Sequence, residues 1–120
     1  MSNKIELAIV SIEKKLSAKF PLLYRRYLKE NIKDNEPYEI EIYNGDFVYF
    51  YNCFDLEERN ETYEVHIYAP EYFMIGQDGD LGYFIRLKSS DDKIYSLDLG
   101  ALGSIPMEEA AQDIYSLIRT

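Results

Sequence analysis

The sequence has no tryptophan, a single cysteine (Cys53) and a single histidine (His66). One thiol cannot form an internal disulfide, and a metal site would have to be completed almost wholly by carboxylates, without recognisable ligand spacing. We therefore expect no metal or cofactor and interpret both residues as structural. A Cys53–His66 nucleophile pair is the alternative, but no motif typical of such an enzyme surrounds Cys53.

Long apolar runs are also missing. No stretch approaches the roughly 20 apolar residues of a membrane span, and the N-terminal segment lacks the uncharged apolar core of a signal peptide. With one cysteine, nothing indicates an oxidising compartment. We expect a cytoplasmic protein that has no membrane partner.

Basic residues are scarce. The 13 Lys and Arg residues stand against 22 Asp and Glu residues, which gives a net charge of -9. Nucleic acid is disfavoured as a partner because its binding requires basic patches. A basic protein partner is favoured, since a negative surface attracts a positive one during encounter. The alternative interpretation is that the acidity serves solubility alone.

The chain does have enough apolar material for one core. Its 120 residues are 47% hydrophobic, and this length and composition predict a single domain over residues 1–120. Twelve residues are Tyr and six are Phe. A tyrosine can bury its ring while its hydroxyl reaches water or a partner, so a surplus of tyrosines at the surface would suit a binding face.

Four segments have the apolar spacing or the capping residues of helices. They cover residues 4–18, 21–31, 55–60 and a last segment that begins at Pro106. Asp55 is the predicted N-cap of the third helix. Glu108 and Glu109 are predicted to occupy the first turn of the last helix, near the positive end of its dipole. The predicted inner stripe of this helix is Ala110, Ala111, Ile114, Leu117 and Ile118.

Alternating and β-favouring residues predict an antiparallel sheet. The predicted strands form a hairpin over residues 38–51 and continue as a meander over residues 72–75, 83–88 and 93–97. Asn44-Gly45 predicts a type I′ turn in the hairpin, and residues 64–70 are ambiguous. The order of elements predicts an α+β fold, with N-terminal helices and a C-terminal helix packed on a mostly antiparallel sheet.

Two acidic patterns have catalytic or metal-binding alternatives. The run at residues 76–80 resembles part of a calcium loop, but no Glu follows at the twelfth position, so we interpret it as a hairpin turn. Glu39 with Glu41, or Asp78 with Asp80, could pair for acid–base chemistry. No histidine, metal cluster or oxyanion device accompanies them, so we expect no enzyme, and a small carboxylate-based hydrolase is the minor alternative.

Five segments, taken in order, carry a resemblance to a known family. They are residues 20–28 (FPLLYRRYL), 55–60 (DLEERN), 72–80 (YFMIGQDGD), 83–85 (YFI) and 94–98 (IYSLD). Their order resembles the SUKH superfamily, which includes fungal Knr-type cell-wall assembly regulators and many bacterial immunity proteins. The resemblance spans most of the chain, although the tryptophan common in such proteins is absent.

The resemblance implies a bacterial immunity protein that neutralises a polymorphic toxin, often a nuclease, or else a regulatory scaffold that binds an endogenous protein. A nuclease presents positive charge to nucleic acid, so an acidic surface can occupy the same groove. The candidate contact residues lie on the hairpin, the short acidic helix and the glycine-rich turn. They are Glu39, Glu41, Tyr43, Asp46, Glu57, Glu58, Asp78 and Asp80. For each one taken singly, a solvated position without a partner is the alternative.

Overall fold

The structure, a computed structural model, describes residues 2–118, with the side chains of residues 4–118. The helices in this range are α1 Ser2–Leu16, α2 Leu22–Tyr27, α3 Leu56–Thr62, α4 Val65–Tyr68 and α5 Ile114–Leu117. The strands are β1 Tyr38–Glu41, β2 Phe47–Phe50, β3 Tyr72–Asp78, β4 Leu81–Arg86, β5 Ile94–Asp98 and β6 Glu108–Ala111. None of the helices in the described range combines the length and the apolar character that crossing a bilayer requires.

The two predicted N-terminal helices are confirmed. α1 buries a stripe that includes Ile5, Ile9 and Ile12, the spacing expected of one helix face. It ends where Ser17 takes a positive φ of 54°. The second helix continues beyond α2 as a π-helical turn, Leu28–Ile32, whose two end residues are buried.

All six strands of the described sheet pair antiparallel in chain order, β1-β2-β3-β4-β5-β6. The predicted α+β fold and meander are therefore confirmed. The chain after α5 returns to the β1 side of the sheet, where Ile42 forms a bridge with Ile118 and the Tyr43 N–H donates to the Leu117 carbonyl at 2.9 Å. β6 forms the opposite edge.

The predicted hairpin is confirmed, but its predicted turn type is wrong. The Ile42 N–H donates to the Asp46 carbonyl at 2.8 Å, so three residues form the loop, and of Asn44 and Gly45 only Gly45 has a positive φ, 93°. A type I′ turn needs positive φ at both. The Asn44 side chain instead accepts the Asp46 N–H at 3.0 Å, which favours the longer loop.

The glycine-rich run forms a turn that is tighter than the sequence predicts. β3 continues to Asp78, and only Gly79, with a positive φ of 59°, and Asp80 connect it to β4. Gly76 lies inside β3, where a Cβ would come within 2.7 Å of the Tyr49 carbonyl oxygen. Glycine is required there because β2 and β3 approach each other closely.

The predicted last helix is mostly wrong. Residues 108–111 form β6, paired with β5, and no helix begins at Pro106. α5 starts only after Asp113, whose carboxylate accepts an N–H of the first turn at 2.8 Å. Backbone pairing with β5 overrides the helix propensity of Glu and Ala. Ile114 and Leu117, which the apolar stripe places inside, are buried as predicted.

Asn60 attaches α3 to the sheet. Its side-chain amide donates to the carbonyls of Leu56 and Met74, both at 2.9 Å, and its oxygen accepts the Met74 N–H at 2.7 Å. Met74 adjoins a register shift in the pairing of β3 with β4. Because Asn60 is buried, its bonds to the Met74 peptide groups lie away from water, where an unpaired group is costly.

We expect Asn60→Leu to lower the free energy of unfolding by about 2 to 4 kcal/mol, because it leaves the buried N–H and C=O of Met74 without their side-chain partner. Chemical denaturation monitored by circular dichroism measures this change. Glu61→Gln, at an exposed position one residue further along α3, is the control and should change stability by less than about 0.5 kcal/mol. Equal stability of the two variants would contradict the role given to Asn60.

Candidate partner-binding surface

Acidic residues are concentrated in the middle of the chain. Between Lys33 and Arg86 the sequence has 13 acidic residues and a single basic one, Arg59. The first 33 residues instead carry eight basic and three acidic residues. The segment between Lys33 and Arg86, which we call the acidic segment and which includes β1 to β4 with α3 and α4, therefore accounts for the negative charge. A count along the chain reveals this segregation, which the overall composition conceals.

A pocket of about 240 Å³ lies where β2, β3 and the start of α3 meet. We call it the tyrosine pocket, and its lining consists of two tyrosines, three acids, one arginine and one glutamine. They are Glu36, Tyr49, Tyr51, Asp55, Glu58, Arg59 and Gln77. Tyr49 lies directly opposite Gln77 in the sheet, so both side chains project from the same face.

Hydrogen bonds hold the inner wall of the tyrosine pocket. The buried Tyr51 hydroxyl donates to the Gln77 side-chain oxygen, while the Gln77 amide donates to the Gly79 carbonyl at 2.8 Å and the Tyr63 hydroxyl at 3.3 Å. The Tyr49 and Tyr51 ring centroids are 5.9 Å apart. Burial raises the pKa of Tyr51 well above its usual value, so its hydroxyl stays protonated and can donate the bond to Gln77.

The single arginine of the pocket already has an anionic partner. Arg59 donates to both carboxylate oxygens of Glu58, at 2.9 and 2.6 Å, and its guanidinium lies 5.9 Å from the Tyr63 ring centroid. The Thr62 hydroxyl donates to the same carboxylate at 2.9 Å. The bonds from Arg59 are the main cause that lowers the pKa of Glu58. The Arg59 charge is thus balanced locally.

Glu36 and Asp55 supply the remaining negative charge. Neither has a salt-bridge partner within 4.0 Å among the residues that the structure describes. Asp55 occupies the N-cap position of α3 as predicted, but its side chain makes no capping hydrogen bond. The Asn52 side-chain oxygen instead accepts the N–H groups of Phe54 and Asp55, at 2.9 and 3.2 Å. The Asp55 carboxylate therefore remains available to line the pocket.

Two carboxylates beside an aromatic ring make this pocket suited to a cation. Burial is the main cause of a raised pKa at Tyr49; the negative charges of Glu36 and Asp55 raise this pKa further, and the positive charge of Arg59 lowers it. An ammonium or guanidinium group placed there would share the pocket with two carboxylates and a tyrosine ring, the groups that bind such cations in proteins.

Three of the predicted contact residues lie on the face of the tyrosine pocket or in it. Glu58 lines the pocket. Glu39 lies directly opposite Tyr49, and Glu41 lies opposite the exposed Phe47 in the same hairpin, so both glutamates project from the Tyr49 face. Glu57 is set apart from this group, because Lys15 of α1 binds its carboxylate at 3.2 Å.

A second group of predicted residues gathers around Tyr83. Burial is the main cause that raises the pKa of Tyr83 to about 12, and Asp78, Asp46 and Tyr43 raise it further. The β1–β2 and β3–β4 turns are therefore neighbours. Asp80 is exposed at the tip of the second turn. The eight predicted residues thus divide between the pocket face, the two turns and the separate Glu57.

The candidate residues that the sequence did not reveal are those brought together by the pairing of β-strands. Tyr49 and Gln77 meet because β2 pairs with β3, and Glu36 joins them because it lies just before β1, which pairs with β2. Glu36 and Asp55 carry charge within the acidic segment, so the count along the chain is the one signal that marks them. The structural role of Gln77 has no comparable signal in the sequence.

The geometry gives little support to the catalytic alternatives. Burial raises the pKa of the Cys53 thiol to about 11, which leaves it protonated and weakly nucleophilic at neutral pH. His66 is exposed on α4. Within residues 2–118, no group of three or more His, Cys, Asp and Glu residues is arranged to hold a metal ion.

Comparison with known proteins gives one family. The model of the SMI1 / KNR4 family (SUKH-1) matches residues 6–118, which cover nearly the whole chain and every helix and strand except the start of α1. No curated protein matches the sequence.

We expect the double substitution Glu36→Gln and Asp55→Asn to lower the pKa of the Tyr49 phenol. A negative charge disfavours the phenolate and so raises this pKa, and removing two such charges reverses that part of the shift. Titration of isotope-labelled tyrosine by NMR measures it, with Tyr49→Phe to assign the signal. An unchanged Tyr49 pKa would contradict the placement of the two carboxylates beside this ring.

Proposed function

The chain belongs to the SMI1/KNR4 family (SUKH-1), and we propose that it is a non-catalytic module that binds a basic protein. In the specific form of the proposal it is a cytoplasmic immunity protein that neutralises a cognate toxin, often a nuclease. The observation that carries the proposal is the tyrosine pocket, with two carboxylates that have no salt bridge to any described residue.

The tyrosine pocket supports binding of a lysine or arginine side chain from the partner. Tyr49 offers a ring face, while Glu36 and Asp55 offer carboxylates that need not release another cation first. The hydrogen bonds from Gln77 to Tyr63 and Gly79 hold the wall before the partner arrives. A site that is ordered in advance loses less conformational entropy on binding.

The charge segregation supports fast association with a nucleic-acid-binding toxin. Such a toxin carries basic side chains in the groove that receives phosphate. The acidic segment from β1 to β4 presents the opposite charge, and complementary fields raise association rates, most strongly at low ionic strength. An immunity protein with this surface would bind the same groove as the nucleic acid and block it.

Two other functions have weaker support. Family membership is equally consistent with a regulatory module, for which the same pocket would bind an endogenous basic protein. A carboxylate-based hydrolase would need an acid with a raised pKa. Glu6 and Glu58 are shifted downward by hydrogen bonds from arginines, the opposite direction from that of a general acid.

The deciding experiment is expression of the product of a neighbouring toxin-like gene with and without this protein. An immunity protein should restore growth and form a tight complex with the toxin domain. Growth arrest that persists despite normal expression of this protein would overturn the immunity role. Binding of a basic host protein without any effect on toxicity would favour the regulatory module.

For such a complex, we expect Glu36→Gln with Asp55→Asn to lower the association rate constant on the order of tenfold at low salt, because two attractive charges are lost. Stopped-flow measurements at increasing ionic strength test this, since screening should reduce the difference. Glu30→Gln with Glu61→Gln removes the same charge from exposed positions outside the pocket and should have a smaller effect. We also expect Glu57→Gln to be nearly silent. Equal effects of the two double variants would contradict recognition by the pocket.

A further inference from the structure

A second concave surface lies between α4 and the segment that leads into β6. We call it the apolar groove. It has a volume of about 430 Å³, and its apolar walls include Tyr68, Tyr72, Leu97, Ile105 and Met107. The tyrosine pocket shares none of these residues.

The apolar groove is lined by both exposed and buried apolar side chains. Ile105 and Tyr68 are 56% and 53% exposed and line the same groove, and contiguous exposed apolar surface of this kind marks interaction sites. Leu97 is buried beneath them. Gly103 packs so closely on Tyr68 that a Cβ at this position would come within 3.2 Å of the Tyr68 Cβ. Gly103 and Tyr68 both line the groove, so its two sides pack closely at this point.

The charge around the apolar groove indicates what can bind there. Glu71 is its one charged lining residue, and the lining includes no basic side chain among the residues described. Glu108 is exposed immediately after the groove residue Met107. A second copy of this chain is a poor occupant, because each copy carries a net charge of -9 and the two would repel. A partner with an apolar side chain flanked by basic residues would complement both the apolar walls and the negative charges of Glu71 and Glu108.

The register of the sheet relates the apolar groove to the tyrosine pocket. Tyr49 lies opposite Gln77, Gln77 opposite Gly82, and Gly82 opposite Leu97. Residues directly opposite one another project from the same face, and neighbouring strands are about 4.8 Å apart. Tyr49 and Leu97 are thus separated by three strand spacings, about 14 Å, on one face of the sheet. This distance lies within the footprint of a single protein partner.

We propose that the apolar groove is a second docking site, which binds a large apolar side chain on a basic segment of a protein partner. The inference rests on the proposed function for the basic character of that partner. The tyrosine pocket then contributes charge recognition, while the groove contributes burial of apolar surface. Anchors of this kind carry a large share of the binding free energy in protein interfaces.

The test uses a random 12-residue peptide library displayed on phage and selected against the whole protein. We expect the enriched peptides to combine a large apolar residue with Lys or Arg. For a synthetic peptide of this kind, Ile105→Ser and Glu71→Lys should each weaken binding about tenfold or more, as measured by fluorescence anisotropy. Leu22→Ser, at a 78% exposed leucine on α2, and Glu61→Lys are the matched controls and should leave binding within about twofold.

Four outcomes would overturn the second docking site. The inference fails if no peptide is enriched, if the enriched peptides are acidic, or if their binding is insensitive to Ile105→Ser. If binding instead depends on Glu36 and Asp55 alone, the groove is wrong and the tyrosine pocket stands. A dimer in sedimentation velocity that Ile105→Ser dissociates would assign the groove to a second copy. Groove-dependent peptide binding together with failure of the toxin experiment would overturn the immunity role and leave the groove intact.

Discussion

The attachment of α3 to β3 by Asn60 is the interaction on which the candidate surface depends. α3 has seven residues, too few for an isolated helix to be stable in water. Its position therefore comes from tertiary contacts, and the buried Asn60 side chain supplies three hydrogen bonds, two of them to the Met74 peptide groups. Because Asp55 directly precedes this helix and Glu58 and Arg59 lie within it, the geometry of the tyrosine pocket follows from where Asn60 binds.

Tyrosine takes the place of tryptophan in both the core and the candidate surface. Tyr27 packs edge-on against Tyr38, Phe50 and Tyr115 between the helices and the sheet, while Tyr51 buries its ring and orients Gln77 through its hydroxyl. One residue type thus supplies apolar area and directional bonds. The structure divides the tyrosines between core and surface, since Tyr24 is fully buried and Tyr43 and Tyr68 are exposed.

Elements that depend on interactions between residues close in the chain can be predicted from the sequence, whereas those that depend on distant residues cannot. α1 and the hairpin depend on local spacing and are visible in the sequence. The turn at Asn44-Gly45 and the segment Glu108–Ala111 differ from the sequence prediction. A one-residue longer loop satisfies the Asp46 N–H through Asn44, and Glu108–Ala111 pairs with β5 although its residues favour helix. In both cases a hydrogen bond outweighs a propensity that differs by less than about 1 kcal/mol per residue.

The amino-acid sequence alone determined the fold class, the acidity and the family resemblance, because each depends on composition, on periodicity or on the order of segments. Only the tertiary structure decided which acids act together. In the structure, Glu36 and Asp55 lie beside Tyr49. Glu57 instead forms a salt bridge with Lys15. Asp46 and Asp78 belong to a separate group around Tyr83. Electrostatic attraction falls off with distance and is weakened when a charge is already paired, and neither quantity can be read from a linear sequence.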